Sequence, residues 1–267
     1  MKIQIALALA SLALLSACAT TPQVTPAVLS DLAPTGKVRI GINFQNQVLT
    51  RKDPATGEPG GIAVDLAREL ARRLGVPLEI VPYTTAGNLA AGVNTGAWDV
   101  GFFAIEQERA REIDFAPGGY LEIETTYLVP AGSPLRTVDD VDRKGIRVSV
   151  GAKGGPDLAL TRLLKNAELV RAPNSAAATK QFISGKLDAL AGLRPTLAVE
   201  SERIPGSRLL DGSFTTVQQS VGIPKGRAAG AKYIQAFVED VKASGLVAQL
   251  IEKNGARGAK VAPPARP

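Results

Sequence analysis

The chain has 267 residues, a formal charge of +6, 45% hydrophobic but only 4% aromatic residues, no histidine and a single cysteine. Without histidine there is no Ser-His-Asp or Cys-His catalysis and no His-ligated zinc, and one cysteine leaves neither a disulfide nor a Cys-based metal site. Lys and Arg are interleaved with Asp and Glu and show no basic stripe with stacking aromatics, so a nucleic-acid partner, a metal and a cofactor are not expected. The mild positive excess suits a small anionic or zwitterionic ligand, or simply a solvated basic surface.

The first stretch, MKIQIALALASLALLSAC, has one lysine and an apolar run over 3–15 that is too short to span a bilayer comfortably, and it reads as an export signal. Its end, Leu15-Ser16-Ala17-Cys18, resembles the lipobox of bacterial lipoproteins. That resemblance implies cleavage after residues 1–17 and diacylation of Cys18; a general signal peptide cut nearby would leave Cys18 incidental. Residues 18–36 are rich in Pro, Thr and Ala and read as a tether, so the folded body is expected to start at Lys37.

Beyond Lys37, short β-branched runs alternate with amphipathic ones. Strands are expected over 38–42, 78–81 and 98–103, with helices over 61–74, capped by Gly75, and 88–94. The strand ending at Phe103 leads into IEQERAREI, read as a helix on which Ile105, Arg109 and Ile113 fall at about 0°, 40° and 80°, with Arg111 near 240°. Arg109 therefore shares the apolar stripe and Arg111 faces outward. Two readings stand: surface ion pairs with Glu106, Glu108 and Glu112, or an inward Arg109 that holds an anion. A long extended stretch over 120–129 follows. The alternation then resumes with strands over 146–150, 168–170 and 188–191, and helices over 156–165, 175–184 and around 196–202. A second long strand over 214–223 precedes closing helices over 228–243 and 246–254. Two α/β units joined by two long strands predict two lobes with a cleft between them. The lobes are expected over 37–120 plus 216–255 and over 121–215, followed by a disordered Pro/Ala/basic tail over 256–267.

GGIAVDLARELARRLGV, ERAREIDF, GAKGG and GKLDALAG, in this order and spacing, resemble the bacterial extracellular solute-binding proteins of family 3, the polar amino-acid group. The resemblance runs over essentially all of 37–255. It implies the type II periplasmic-binding-protein fold and places Arg109 in the cleft, bidentate on a ligand α-carboxylate. Phe103 and Ala104 end the strand before it, and the Ser/Thr donors common in relatives are replaced by Ala104 and Glu106. Asn43 and Asn46 stand where relatives place an acid and an aromatic lid. Lys153 and the N–H groups of Gly154 and Gly155, at a helix N-terminus, would favour a second anionic group; an ordinary Gly-rich turn is the alternative. Where amino-acid-binding relatives carry an aspartate for the ligand ammonium, this chain has Leu193, followed by Arg194. Glu124, alternating with Glu122 on one face of the crossing strand, is a candidate to restore negative charge, or is part of a solvated face.

The expected function is a lipid-anchored, monomeric periplasmic receptor that closes over a small carboxylate-bearing solute and docks on an ABC permease of the inner membrane. Two alternatives use the same fold: a cyclohexadienyl-dehydratase-like enzyme with Glu106, Glu122 or Glu124 as acid, and a sensory lipoprotein that feeds no transporter.

Overall fold

The folded body begins earlier than Lys37. In the computed structural model, which describes residues 22–53, 55–256 and 258–266, Thr25 caps α1 (Pro26–Leu32) by accepting the N–H of Val28 at 3.3 Å. Val28 and Leu32 are buried in the same core as Tyr233 and Phe237 of α7 (Ala228–Ala243), so the expected tether is partly structure. Its apolar residues at i and i+4 give that short helix a face to bury. Cys18 and the signal segment lie outside the described residues.

β1 (Val38–Asn43) alternates, with Val38, Ile40 and Ile42 fully buried on one face and Arg39 only partly buried on the other. A small hairpin, β2 (Arg51–Lys52) with β3 (Pro59–Gly60), leads to α2 (Ile62–Leu74). There Ile62, Leu66, Leu70 and Leu74 recur every fourth residue on the buried side. Gly75 ends the helix in the left-handed region at φ 69°, a conformation open to glycine without a Cβ penalty. β4 (Leu78–Tyr83) pairs parallel with β1, and α3 (Ala86–Ala91) continues into a 3-10 turn at Gly92–Thr95. β5 (Val100–Ala104) then closes the parallel set on the other side of β1.

The predicted helix after β5 does not form. Its residues make a turn and a single 3-10 segment, Arg109–Arg111, before β6 (Ile113–Phe115) pairs antiparallel with β12 (Thr215–Pro224). The sheet claims Ile113 to Phe115, leaving too few residues for a stable helix. β7 (Leu121–Val129) and β12 are the two long crossing strands, paired antiparallel from Thr215 opposite Thr125 to Gln219 opposite Leu121.

The second lobe repeats the pattern with β8 (Arg147–Gly151), α4 (Gly155–Leu163), β9 (Glu168–Ala172), α5 (Ser175–Ser184), β10 (Ala189–Leu193) and α6 (Arg194–Arg203), plus a short β11 (Arg208–Leu209) on β7. One curled mixed sheet, in the order β4-β1-β5-β12-β7-β10-β8-β9, runs through both lobes. The main core of the first lobe and two smaller cores of the second lie on its faces.

After α8 (Leu246–Lys253), the expected disordered tail is instead ordered. β13 (Ala259–Val261) pairs with Leu121 to Ile123 of β7, and Ala262 is buried. The free edge of β7 supplies unpaired backbone groups that outweigh the Pro/Ala composition of the segment.

Candidate ligand-binding cavity

The C-terminal ends of β1, β5, β8 and β10 converge on a cavity of about 120 Å³ between the lobes. This is the crevice beyond the strand ends where open parallel sheets hold ligands. The N-terminal turns of α4, α5 and α6 close it from the second lobe, with Gly154, Gly155, Ser175 and Thr196 on the wall. Close approach explains two glycines. A Cβ at Gly151 would lie 2.7 Å from the N of Ser175, and one at Gly155 would lie 3.1 Å from a methyl of Val217.

Arg109 lines this cavity and is only 7% exposed. Its Nη1 donates to the Ala104 carbonyl at 3.0 Å, and its Nη2 donates across the lobes to the Lys153 carbonyl at 2.8 Å. The guanidinium lies 5.7 Å from the centroid of the Phe103 ring, which itself packs edge-on against Trp98 and Phe115. Burial pulls the Arg109 pKa down, while Glu106 and then Glu108 oppose that shift. Two backbone bonds do not use up a five-donor fork, so part of a desolvated guanidinium remains for an anion. Arg109 is buried although the helix that suggested an inward side chain is absent, and Arg111 is exposed.

Glu106, beside it, is 6% exposed and forms an ion pair across the lobes with Arg162 of α4 at 3.2 Å. Burial raises its pKa, which the nearby Arg109 counters.

Asn43 and Asn46 also line the cavity. Each turns its side-chain oxygen onto a backbone N–H two residues on, Gln45 at 3.1 Å and Val48 at 3.2 Å, and thereby shapes the loop after β1. Phe103, Ala104, Gly154 and Gly155 line the cavity as expected, with Ala104 presenting its carbonyl to Arg109. Leu193 lines it too.

Three predicted residues are placed elsewhere. The Lys153 side chain borders a separate crevice of about 190 Å³ shared with Glu108 and Glu112, and its backbone serves the site instead. Lys153 adopts φ 58°, and its N–H donates to Asp157 at 2.7 Å, a pairing that holds the turn before α4. Arg194 and Glu124 pair with each other at 3.1 Å outside the cavity lining, and Lys260 of β13 reaches the same carboxylate at 2.9 Å. The Lys260 hydrogen bond, more than any other contact, holds the Glu124 pKa low. Glu122 accepts from Gln218 Nε2 at 3.0 Å. The alternating face of β7 that carries both glutamates is thus the face away from the cavity.

Sequence reasoning missed Gln219, Asn174, Thr85 and Thr196, all on the cavity wall. Gln219 is 3% exposed on β12. The signal was present: an amide in the inward phase of an otherwise apolar strand is a costly choice without a partner.

The model of the bacterial extracellular solute-binding proteins, family 3, matches residues 38–256. Over 84% of this chain and 83% of the relative, the sequence is 25% identical to the ABC transporter glutamine-binding protein GlnH of Bacillus subtilis. A cyclohexadienyl dehydratase of Pseudomonas aeruginosa is 24% identical over 92% of this chain and 91% of its own. Among solved structures, a mutant of ArgBP from T. maritima superimposes with a TM-score of 0.72, at 24% identity, over 86% of this chain and all of that one.

Proposed function

We propose, for a chain that belongs to the bacterial extracellular solute-binding proteins of family 3, that it is the exported receptor of an ABC importer and closes its two lobes over a small carboxylate-bearing solute. The observation that carries this reading is Arg109: a nearly buried guanidinium on the cavity wall, seated on Phe103 and bonded to backbone carbonyls of both lobes. A cation in that position binds anions most strongly when the lobes exclude water. The likeness to glutamine-binding and arginine-binding proteins supports an amino acid or a related organic acid as the solute. The two lobes are taken as 37–120 plus 216–255 and 121–215, joined at β7 and β12. No helix among the described residues is long and apolar enough to cross a membrane. Membrane attachment is assigned to acylation of Cys18 on the lipobox-like Leu15-Ser16-Ala17-Cys18, and the receptor to the periplasm as a monomer that docks on an inner-membrane permease.

Mass spectrometry of the small molecule that co-purifies with the protein tests the reading. A carboxylate retained by the wild type and lost from Arg109→Ala is expected; a retained ligand without an acidic group contradicts it. For the anchor, Cys18→Ser should move the protein from the membrane to the soluble fraction, and unchanged membrane retention of a processed variant rejects it.

The dehydratase relative and the burial-raised pKa of Glu106 favour a second reading, an enzyme on the same fold. Against it, Glu106 is engaged by Arg162 and is not part of the cavity wall. Incubation with cyclohexadienyl acids and assay for the aromatic product separates the two.

A further inference from the structure

We propose that this cavity selects an organic acid that has no ammonium group and whose other polar atoms are acceptors, that is, a small oxo- or dicarboxylate. This rests on the reading of the cavity as a carboxylate receptor. Arg109 is the one charged residue on its wall among the described residues, and no Asp or Glu lines it. Of the carboxylates nearby, Glu106 is paired with Arg162, Glu122 accepts from Gln218, Glu124 is held by Arg194 and Lys260, and Glu108 is exposed on the other crevice that Arg109 borders. An ammonium ion brought into this space would meet no counter-charge.

The neutral groups point the same way. Asn43, Asn46 and Asn174 all line the cavity, and each spends its side-chain oxygen on a backbone N–H, that of Gln45, Val48 and Ala177 respectively. What these side chains can offer inward is therefore the NH₂ end, a donor. Thr85 accepts the Asn88 N–H at 3.0 Å, which leaves its hydroxyl proton to donate. Among the described residues no acceptor pairs with the N–H of Gly154 or Gly155, at the N-terminus of α4. These donors sit beside a few acceptors, the hydroxyls of Thr50 and Thr179, whose protons go to the carbonyls of Asn43, Asn46 and Ser175, but beside no carboxylate; the wall therefore matches carboxylate and carbonyl oxygens around one guanidinium and gives a protonated amine no counter-charge. Gln219, on the same wall, is positioned to read a second polar group of the ligand.

The test is calorimetry on the ligand-free mature protein with matched pairs: 2-oxoglutarate beside glutamate, 4-methyl-2-oxopentanoate beside leucine, and succinate beside aspartate, with glutamine, arginine and lysine added singly. In at least one pair, the oxo- or dicarboxylate is expected to bind at least about tenfold more tightly than its amino acid, because an unpaired buried polar group is strongly rejected. An amino acid that binds as tightly as its partner, or tight binding of glutamine, arginine or lysine, overturns the inference while leaving the carboxylate receptor standing. Failure of every carboxylate to bind overturns both. Leu193→Asp supplies an independent arm. It places an acid on the cavity wall at the N-cap of α6, a position where aspartate is favoured. The ratio of amino acid to oxo-acid affinity should rise about tenfold or more in that variant, and an unchanged ratio counts against the inference.

Discussion

Arg109 is held by three things at once: the Ala104 carbonyl, the Lys153 carbonyl and the Phe103 ring. Removing a desolvated cation that binds an anion typically costs about 2 to 5 kcal/mol, so Arg109→Ala should weaken ligand binding by that amount. Arg109→Lys keeps the charge but loses the planar fork, and should recover only part of the loss. Arg111→Ala, at an exposed site, should change affinity by about 0.5 kcal/mol or less. Titration calorimetry on the three variants decides this, and equal losses at 109 and 111 would contradict the site. Glu106 gives a pH signature. Because burial raises its pKa, the folded chain keeps a proton that the unfolded chain has released. Stability should therefore fall as pH rises from the ordinary carboxylate value, about 4.3, through the raised one. Thermal unfolding of Glu106→Gln across that range should show a flatter profile than wild type.

At the level of elements, α2 and α7 are joined by charge as well as by apolar packing. Glu69 accepts from Arg72 and Arg73 at 2.7 Å each, and Arg73 also reaches Asp240 at 2.6 Å while lying over the Phe237 ring. The Arg72 bond, above all, pulls the Glu69 pKa down to about 2. A depressed carboxylate stabilises the fold above its ordinary pKa, and that contribution fades as pH falls toward about 2. With Arg72 largely in solvent, Glu69→Gln should cost about 1 kcal/mol at neutral pH, and the two proteins should converge in acid denaturation. β13 matters for a different reason. Cutting the chain after Gly258 would expose the backbone groups of Leu121 to Ile123 and remove buried Ala262, so melting should occur several degrees lower, by about 1 to 3 kcal/mol. An unchanged melting temperature would show that the tail strand adds nothing.

On the scale of the whole molecule, two polar contacts cross the site between the lobes: Arg109 to the Lys153 carbonyl, and Glu106 to Arg162. Contacts made only when the lobes meet raise the population of the form that holds ligand. Arg162 does not line the cavity and its side chain is about half exposed, so Arg162→Ala removes a lobe contact without touching a bound molecule. Affinity should drop about two- to tenfold, and the radius of gyration of the ligand-free protein should increase in small-angle scattering. No change in either quantity would mean that this pair does not govern closure.

The order of most strands and helices and the glycines before α4 were legible in the sequence, whereas Arg109 is buried for a reason other than the helix that suggested it. Burial periodicity and turn chemistry are local properties, set within a few residues. The structure had to decide which charges meet. Glu124 is paired with Arg194 and Lys260, residues 70 and 136 positions away, so neither Glu124 nor Arg194 charges the cavity as its sequence neighbourhood suggested. A strand's alternation says that Glu122 and Glu124 share a face, but not whether that face looks into the cavity or onto a returning tail. The same limit hid Gln219, whose place on the cavity wall exists only once β12 lies between β5 and β7. It also made the tail look disordered, because the edge of β7 that orders it is supplied by residues more than a hundred positions earlier. Sequence indicated two lobes and set the donors on the wall, through local turns such as Asn43 to Gln45 and Thr85 to Asn88; only the tertiary structure decided that Glu106 and Glu124 leave the cavity, because their ionic partners lie 56 to 136 positions away.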